Sequence, residues 1–448
     1  MMTKNFKFID LFAGLGGFHL AAEQAGGHCV FASEIQSDLR ELYTLNHGMV
    51  AVGDINDVAI SDIPPHDFLC AGFPCQPFSK AGSQEGWRDA VRGTLFFRIV
   101  QILEVRRPEF IVLENVANFF KHDDGNTFQA VKAALEGLGY ECLAEKLSPH
   151  KFGVPQIRER MYLVARRRSD GGLSGFKWPS IVEGGGLTIN SVLDVYPPDA
   201  RSISPKHGAA IAAWQNFLDL IPDEAKLPHF PIWSCEAGAT YPVDKGPLLD
   251  MRLKDLKQYK GAFGRDIEGS RKQVALGNVP VYARSGDFPK WKQDFILQNR
   301  EFFKQHKRVL RSWLKVVEGF DHSFQKFEWN CQGEVRDVYS HILQLRASGI
   351  RVKRATAAPA LVAMTTSQVP IVTWERRYMT ARECARLQSM ESLKLLPSTS
   401  NSAFKALGNA VNVKVANLVI QSLLALREGG EVDGAELMER ECFAEVVG

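Results

Sequence analysis

An open, doubly wound α/β sheet with a second, smaller domain attached is the fold this sequence predicts. Three observations carry that reading. Short apolar runs alternate with helical patterns from Phe6 to Ala165. Acidic residues stand where successive runs end, at Glu34, Asp54 and Glu114. A glycine-rich turn, Ala13-Gly14-Leu15-Gly16-Gly17, joins the first run to the first helical pattern. In a sheet of this kind ligands bind in the crevice beyond the carboxyl ends of the strands.

The elements follow in order. Phe6 to Phe12 reads as the first strand and Phe18 to Gln24 as a helix. Glycines between them allow a ligand to approach the backbone at a helix N-terminus, although a tight turn with no ligand has the same sequence. His28 to Ser33 is a second strand ending at Glu34, followed by a helix from Ser37 to about Asn46. Val50 to Ile55 gives a third strand with Asp54 at its end. Either acid alone reads first as a helix N-cap or a solvated loop charge. Together, at successive strand ends, they favour a nucleoside-containing cofactor held by its ribose. No Gly-Lys-Ser/Thr phosphate loop is present, which argues against ATP.

Asp67 to Cys70 is a short buried strand running into Ala71-Gly72-Phe73-Pro74-Cys75-Gln76-Pro77-Phe78-Ser79. Pro74 and Pro77 forbid helix or further strand on either side of Cys75 and hold it in a stiff turn. A thiol at a strand end is a candidate nucleophile once its pKa is lowered; an inert cysteine in a proline turn is the alternative. A polar loop follows, with Arg88 and Arg92, placed to close over whatever reaches Cys75. Thr94 to Val105 is an amphipathic helix, and Phe110 to Leu113 a buried strand ending at Glu114. Asn126 is a candidate cap for the helix to Leu138. Tyr140 to Leu147 and Met161 to Ala165 are strands, with Arg158 and Arg160 on the same side of the extended segment leading into the second.

Residues 169–185 are glycine-rich and read as a linker. The region beyond mixes aromatic with basic residues. One cluster, from Arg300 to Lys315, lies on what reads as a single helix from Arg300 to Val317 and suits a solvated face. A second cluster, Arg346, Arg351, Lys353 and Arg354, surrounds Ser348-Gly349 and suits DNA contact. Net charge is only +3, so contact with nucleic acid has to come from such local patches. Eight cysteines show no Cys-x-x-Cys and no paired Cys/His spacing, so neither a disulfide framework nor a zinc site is indicated, and no metal is expected. No signal peptide and no bilayer-spanning run are read, which suits a cytoplasmic protein with reduced thiols.

Phe73-Pro74-Cys75-Gln76 is the signature of the DNA cytosine-5 methyltransferases, and the chain resembles that family. Further matches follow in family order: Asp10 to Phe18, Glu114 to Val116, Gln156 to Arg160, Arg382 to Gln388, and Gly408-Asn409-Ala410-Val411. The resemblance covers residues 6–168 and about 376–425. Asn412 departs from it, since the family usually has proline there, and only a small change in turn stiffness is expected. The resemblance implies a Rossmann-like catalytic domain built from 1–171 and 402–448, with a target-recognition domain over 172–401. It implies S-adenosylmethionine as cofactor. Phe12, Gly14, Leu15 and Gly16 would form its loop, Glu34 would bind the ribose, and Ile35, Asp54 and Ile55 would flank the adenine. Pro74, Leu95, Asn409 and Val411 would complete the pocket.

The same resemblance implies DNA (cytosine-5) methyltransferase activity on a short duplex sequence, as the modification half of a bacterial restriction–modification system. The protein is expected to act as a monomer on double-stranded DNA, beside an endonuclease of the same specificity. Cys75 would add to carbon 6 of a flipped-out cytosine and make carbon 5 nucleophilic. Glu114 would meet N3 and the 4-amino group, Arg160 the O2 atom, and Arg158 a phosphate or Glu114 itself. Ser79, Arg88 and Arg92 would meet DNA from the loop. A tRNA cytosine-5 methyltransferase is the nearest rival. A catalytically dead DNA-binding regulator is opposed by the intact Cys75, Glu114, Arg158 and Arg160. A flavin or nicotinamide oxidoreductase has no use for Pro-Cys-Gln.

Overall fold

The computed structural model describes residues 5–74, 95–182, 186–284, 286, 288–361 and 368–427. These fall into two compact units. One contains the described residues up to Val195, those from Thr356 to Leu361, and those from Thr380 onward; the other contains Tyr196–Ala355 and the described residues up to Met379.

In chain order the first unit opens with β1 (Phe6–Leu11), α1 (Gly17–Gln24), β2 (Gly27–Ser33), α2 (Ser37–His47) and β3 (Phe68–Gly72). It continues with α3 (Leu95–Arg106), β4 (Phe110–Val116), α4 (Asn126–Gly137), β5 (Tyr140–Leu147), β6 (Gln156–Ile157) and β7 (Arg160–Arg167). The second unit contributes α5 (Pro205–Leu220), β8 (Ile232–Trp233), α6 (Leu253–Leu256), α7 (Lys272–Leu276), α8 (Lys290–Gln305) and α9 (Lys307–Val317). Next in that unit come β9 (Lys326–Trp329), β10 (Ile342–Arg346) and β11 (Gly349–Lys353); β12 (Ala358–Pro359) returns to the first unit, where it pairs with β6, and β13 (Ile371–Val372) and β14 (Arg377–Tyr378) belong to the second. The chain closes with α10 (Ala381–Leu387), α11 (Ser400–Asn409) and α12 (Val413–Ala425).

The first unit's sheet has the order β2-β1-β3-β4-β7-β5. The strands from β2 to β4 run parallel, and β7 is antiparallel to both β4 and β5. The chain leaves β1 towards β2 on one side and later places β3 on the other, so the topological switch falls at β1 and β3. Ile9, Leu69, Cys70, Ile111 and Val112 are wholly buried, as expected of parallel strands covered on both faces. Phe96, Ile99 and Leu103 of α3 and Val131 and Leu135 of α4 pack into one core with Leu69, Ala71, Ile111 and Leu113. This is the doubly wound α/β fold that the sequence predicts.

Several elements differ from expectation. The third strand, expected over 50–55, is reduced to one bridge between Ser33 and Val52. Gly53 ends the pairing, and Asp54 then caps a 3₁₀ turn over Ile55–Asp57 by accepting a bond from Asn56 N at 2.9 Å. Asn126 is not a cap but the first residue of α4; Gly125, in the left-handed region at φ 88°, holds the cap position.

The first unit also extends past the expected break at 171, to Val195, takes in the described residues from Thr356 to Leu361, and resumes for good at Thr380 rather than 402. The glycine-rich stretch is a packed turn: Gly171, Gly172 and Gly175 take positive φ, and Leu173 N donates to Glu141 Oε2 at 3.0 Å. Asp194 N donates to Glu383 Oε1 at 2.9 Å and Arg386 pairs with Asp194 at 2.8 Å, which ties this segment to α10. Residues 183–185 of the expected linker lie outside the described residues.

The second unit holds a smaller sheet, β14-β13-β10-β11-β9-β8. Trp214 of α5 stacks on Phe327 with centroids 4.6 Å apart, and its indole N–H donates to Phe324 O at 2.7 Å. The helix expected from Arg300 to Val317 is two helices, α8 and α9, separated at His306. Arg300 is not on a solvated face: it donates to Glu236 Oε2 at 2.9 Å, and Glu236 is fully buried. Tyr241 and Tyr282 donate their hydroxyls to the other oxygen of that carboxylate.

Candidate active site

A cavity of about 550 Å³ lies in the first unit at the carboxyl ends of β1 to β4. It is built strand by strand. At the end of β1, Phe12 is held in the left-handed region at φ 59° and Gly14 at φ 55°. A Cβ at Gly14 would meet nothing within 4 Å, so the conformation, not crowding, calls for glycine there. At the end of β2, the Glu34 carboxylate accepts Gly14 N at 2.9 Å and Gln36 N at 2.8 Å. These two bonds fix Glu34 across the mouth of the glycine turn. Ile35, Asp54 and Ile55 also line the cavity.

Leu15 and Gly16, expected in the cofactor loop, are not among the lining residues. Leu15 is buried, and a Cβ at Gly16 would lie 2.3 Å from His47 Nε2. They shape the turn from behind, while Phe12, Ala13, Gly14, Gly17 and Phe18 face the cavity.

Pro74 ends the described stretch after β3 and lines the cavity, and Leu95 at the start of α3 lines it too. Cys75, Ser79, Arg88 and Arg92 lie outside the described residues. What precedes Cys75 is well fixed. Gly72 pairs with Glu114 across β3 and β4, and Asn115 Nδ2 donates to Phe73 O at 2.9 Å. Asn115 was legible only as a neighbour of Glu114, yet it ties the entry to the Cys75 turn onto the adjacent strand.

Glu114 faces the cavity from the end of β4. Arg160 Nε lies 3.1 Å from its Oε1. Burial pushes the Glu114 carboxyl above its ordinary value; Arg160 and then Arg158 pull the other way. Of the two partners expected for Arg158, Glu114 feels its charge, but its hydrogen bonds go to backbone carbonyls. Its guanidinium is buried, and Nη2 donates to Gly408 O and Ala410 O, each at 2.9 Å, with Nη1 3.4 Å from Leu361 O. Arg158 thus clamps the turn that carries Asn409 and Val411, both of which line the cavity. Burial, with Arg160 nearby, lowers its pKa to about 9.

Asn412, where proline was expected, caps α12 by accepting a bond from Val415 N at 3.1 Å, and its Nδ2 donates to Leu387 O at 3.1 Å. Ser402, Lys405 and Ala406 of α11 line the cavity and were not singled out in the sequence, because no motif marks them.

The second basic cluster is less free than expected. Arg346 and Arg351 both reach Glu328 Oε2, at 2.7 and 3.0 Å, and Arg354 donates to Glu334. Lys353 is half-buried, and that burial lowers its pKa. The loop expected at Ser348-Gly349 is a tight hairpin in which Arg346 pairs with Gly349.

A family model described as C-5 cytosine-specific DNA methylase matches residues 6–207 and 253–425. The Type II methyltransferase M.AluI of Cellulosimicrobium cellulans is 30% identical over 490 residues, covering 93% of this chain and 91% of its own. M.BanI of Aneurinibacillus aneurinilyticus is 31% identical over 440 residues, covering 93% and 95%. M.HhaI of Haemophilus parahaemolyticus is 46% identical over 196 residues, which span 44% of this chain and 58% of its own.

Proposed function

This chain belongs to the C-5 cytosine-specific DNA methylase family and transfers a methyl group to carbon 5 of cytosine in DNA, and from that premise we propose that S-adenosylmethionine, held in the strand-end cavity, is the donor and that Cys75 is the nucleophile. The observation that carries this reading is Glu114, buried at the cavity one strand over from the turn that ends in Pro74 and leads directly into Cys75.

The cavity suits the donor. The Glu34 carboxylate, already oriented by two backbone N–H groups, is placed to accept ribose hydroxyls. Gly14 leaves open space beside the backbone, and Ile35, Asp54 and Ile55 offer an apolar and polar edge for the adenine. Phe12, Pro74, Leu95, Asn409 and Val411 close the remainder. Bound there, the donor supplies an electrophilic methyl on a sulfonium.

The chain's own residues prepare the acceptor. Carbon 5 of cytosine is too electron-poor to attack a sulfonium methyl directly. The Cys75 thiolate adds to carbon 6, and the ring electrons move towards N3. Glu114, whose carboxyl burial pushes above its ordinary value, donates to N3 as charge builds there. Arg160 holds Glu114 Oε1 and presents its remaining donors to O2 of the base. Carbon 5 then takes the methyl, loses its proton to a base, and Cys75 is eliminated. The reacting base has to leave the duplex stack first. Ser79, Arg88 and Arg92 receive the flanking backbone, and Arg346, Arg351, Lys353 and Arg354 meet DNA, Arg346 and Arg351 by giving up Glu328 as a partner.

The protein works as a monomer on short sites in double-stranded DNA, in the cytoplasm of a bacterial cell, alongside an endonuclease acting on the same site. No described helix is long and apolar enough to cross a membrane. Labelled S-adenosylmethionine is offered with unmethylated duplex DNA and, in parallel, with tRNA, and the products are read by bisulfite sequencing. Label on one cytosine of a recurring short DNA motif is expected, abolished by Cys75→Ser and trapped as a covalent complex by 5-fluorocytosine. Label in tRNA alone would transfer the activity to RNA, and turnover by Cys75→Ser would remove the covalent step.

A further inference from the structure

We propose that Cys331, Glu334 and His341, in the second unit, form a binding site for one divalent transition-metal ion of the zinc class. Their ligand atoms lie within 4.8 Å of one another. They sit on the connection from β9 to β10, far along the chain from every residue of the cavity described above.

The His341 ring makes the argument. Its Nδ1 is 2.7 Å from Asp337 O, an atom that only accepts, and 2.9 Å from Ser340 Oγ, whose own proton goes to Asp337 O, so Nδ1 carries the proton. That leaves the Nε2 lone pair pointing outward, and Nε2 lies 2.9 Å from Glu334 Oε2. A neutral imidazole nitrogen and a carboxylate oxygen are both acceptors, and a cation has to join them. Either a second proton or a metal ion meets that need.

Cys331 favours the metal. Its thiol is fully buried, and among the described residues its Sγ makes no hydrogen bond. It contributes nothing to a proton-bridged pair, but it is the soft ligand that zinc-class ions prefer. The supporting groups are in place as well. Asp337 O fixes the tautomer, as a hydrogen-bond partner of a ligating histidine does. Arg354 holds Glu334 Oε1 and leaves Oε2 to face inward. The Trp329 ring lies 5.1 Å from His341 and confines its plane.

In a tetrahedral site with metal–sulfur near 2.3 Å and metal–nitrogen or oxygen near 2.0–2.2 Å, ligand atoms stand roughly 3.3–3.8 Å apart. Nε2 and Oε2, 2.9 Å apart, have to widen by about 0.4 Å, and the longest spacing, at most 4.8 Å, has to shorten by about 1 Å. Glu334, with its side chain 40% exposed, leaves the outer side open for entry and for water as the fourth ligand. Binding forms a metal–sulfur bond and releases the Cys331 thiol proton to solvent. The ligand order, Cys-x-x-Glu followed later by His, lacks the paired Cys/His spacing by which a sequence announces zinc. A comparable group, His19, Glu23 and His47, carries no such proposal. The two imidazoles stack at 4.2 Å, and His47 Nε2 is taken by Leu15 O, so their lone pairs do not converge.

The test uses the full chain carrying Cys75→Ser to silence that thiol, stripped with a chelator that is then removed. Titration with Co²⁺ is expected to give a thiolate-to-cobalt charge-transfer band and tetrahedral d–d bands that saturate at one equivalent and vanish on adding Zn²⁺. Adding Cys331→Ser should abolish the charge-transfer band with the circular dichroism unchanged. Glu334→Gln, which leaves the buried thiol in place, should weaken Co²⁺ binding at least tenfold and serves if the cysteine variant fails to fold. Absence of the band in the parent, its persistence after Cys331→Ser, or unchanged affinity after Glu334→Gln would each show that a proton alone joins His341 to Glu334.

Discussion

Arg158→Lys separates two readings of the most deeply buried cation beside the active site. Lysine keeps the positive charge, so the cost of burying a cation is nearly unchanged, and what is lost is the fork. One Nη2 now serves Gly408 O and Ala410 O together, at 2.9 Å each. An ammonium on a flexible stem does not reproduce that planar geometry, and one buried carbonyl is left without a donor. Hydrogen bonds to charged groups contribute about 1.5–3 kcal/mol each. With about 2–4 °C per kcal/mol for domains of this size, the melting temperature should fall by roughly 3–12 °C. The carbonyls at risk flank Asn409 in the cavity wall, so S-adenosylmethionine affinity should fall too. If the whole loss reached that wall, the weakening would be about ten- to a hundredfold, since about 1.4 kcal/mol is tenfold. Differential scanning calorimetry and equilibrium binding measure the two effects. DNA affinity should keep the same salt dependence, because no phosphate contact is removed. A salt slope lowered by about one, with melting and cofactor affinity unchanged, would refute the clamp and return Arg158 to the DNA backbone.

Other perturbations test other parts of the molecule. Glu114→Gln should lower turnover about 10²–10⁴-fold, the usual worth of a positioned proton donor, with a smaller effect on cofactor affinity; equal loss of both would move Glu114 into the cofactor site. The same variant tests the pH dependence. Burial raises the Glu114 pKa above 4.5, so the folded chain keeps a proton that the unfolded chain has released. That increment of stability is complete below about 4.5 and is lost as pH rises through the raised value, so the melting advantage of wild type over Glu114→Gln should shrink across that interval. Glu236→Ala strips the shared acceptor from Arg300, Tyr241 and Tyr282 and should cost about 3–5 kcal/mol in denaturant unfolding; a loss under 1 kcal/mol would mean that water replaces the carboxylate. Asn412→Pro removes an N-cap bond and the bond to Leu387 O, about 2 kcal/mol together, against which the stiffer chain returns about 0.4–1 kcal/mol. A net loss near 1 kcal/mol is expected by chemical denaturation, and a gain would show that the cap is dispensable.

The sheet was legible because its strands are buried on both faces and so appear as unbroken apolar runs. Phe68–Gly72 and Phe110–Val116 differ from expectation by a few residues. Val50–Ile55 also begins with an apolar run but pairs only at Val52, and a strand's partners are not written in its own residues. Glu34, Asp54 and Glu114 were found as acids at run ends, and all three line the cavity. For Asp54 both readings hold, since it caps a turn and faces the site at once. The clamp made by Arg158 was not legible because its hydrogen-bond partners are carbonyls some 250 residues away in sequence, and backbone oxygens leave no trace in a side-chain pattern. The Arg300–Val317 helix was overextended because a basic periodicity runs through His306 while the backbone does not. Glu236 and Glu328 were missed for a related reason: each is made important by arginines that only the fold brings to it.

The first unit joins residues up to Val195 to residues from Thr380 onward. Asn417 Nδ2 donates to Ala21 O at 2.9 Å, and a Cβ at Gly17 would strike Val411 O. On the ribosome, β1 and α1 therefore emerge long before the helices that cover them. The strand-end cavity has no wall at Asn409 and Val411 until translation has passed them. The two halves of the cavity wall, the glycine turn at Gly14 and the turn at Asn409, are thus joined only after almost four hundred residues of intervening chain have been made.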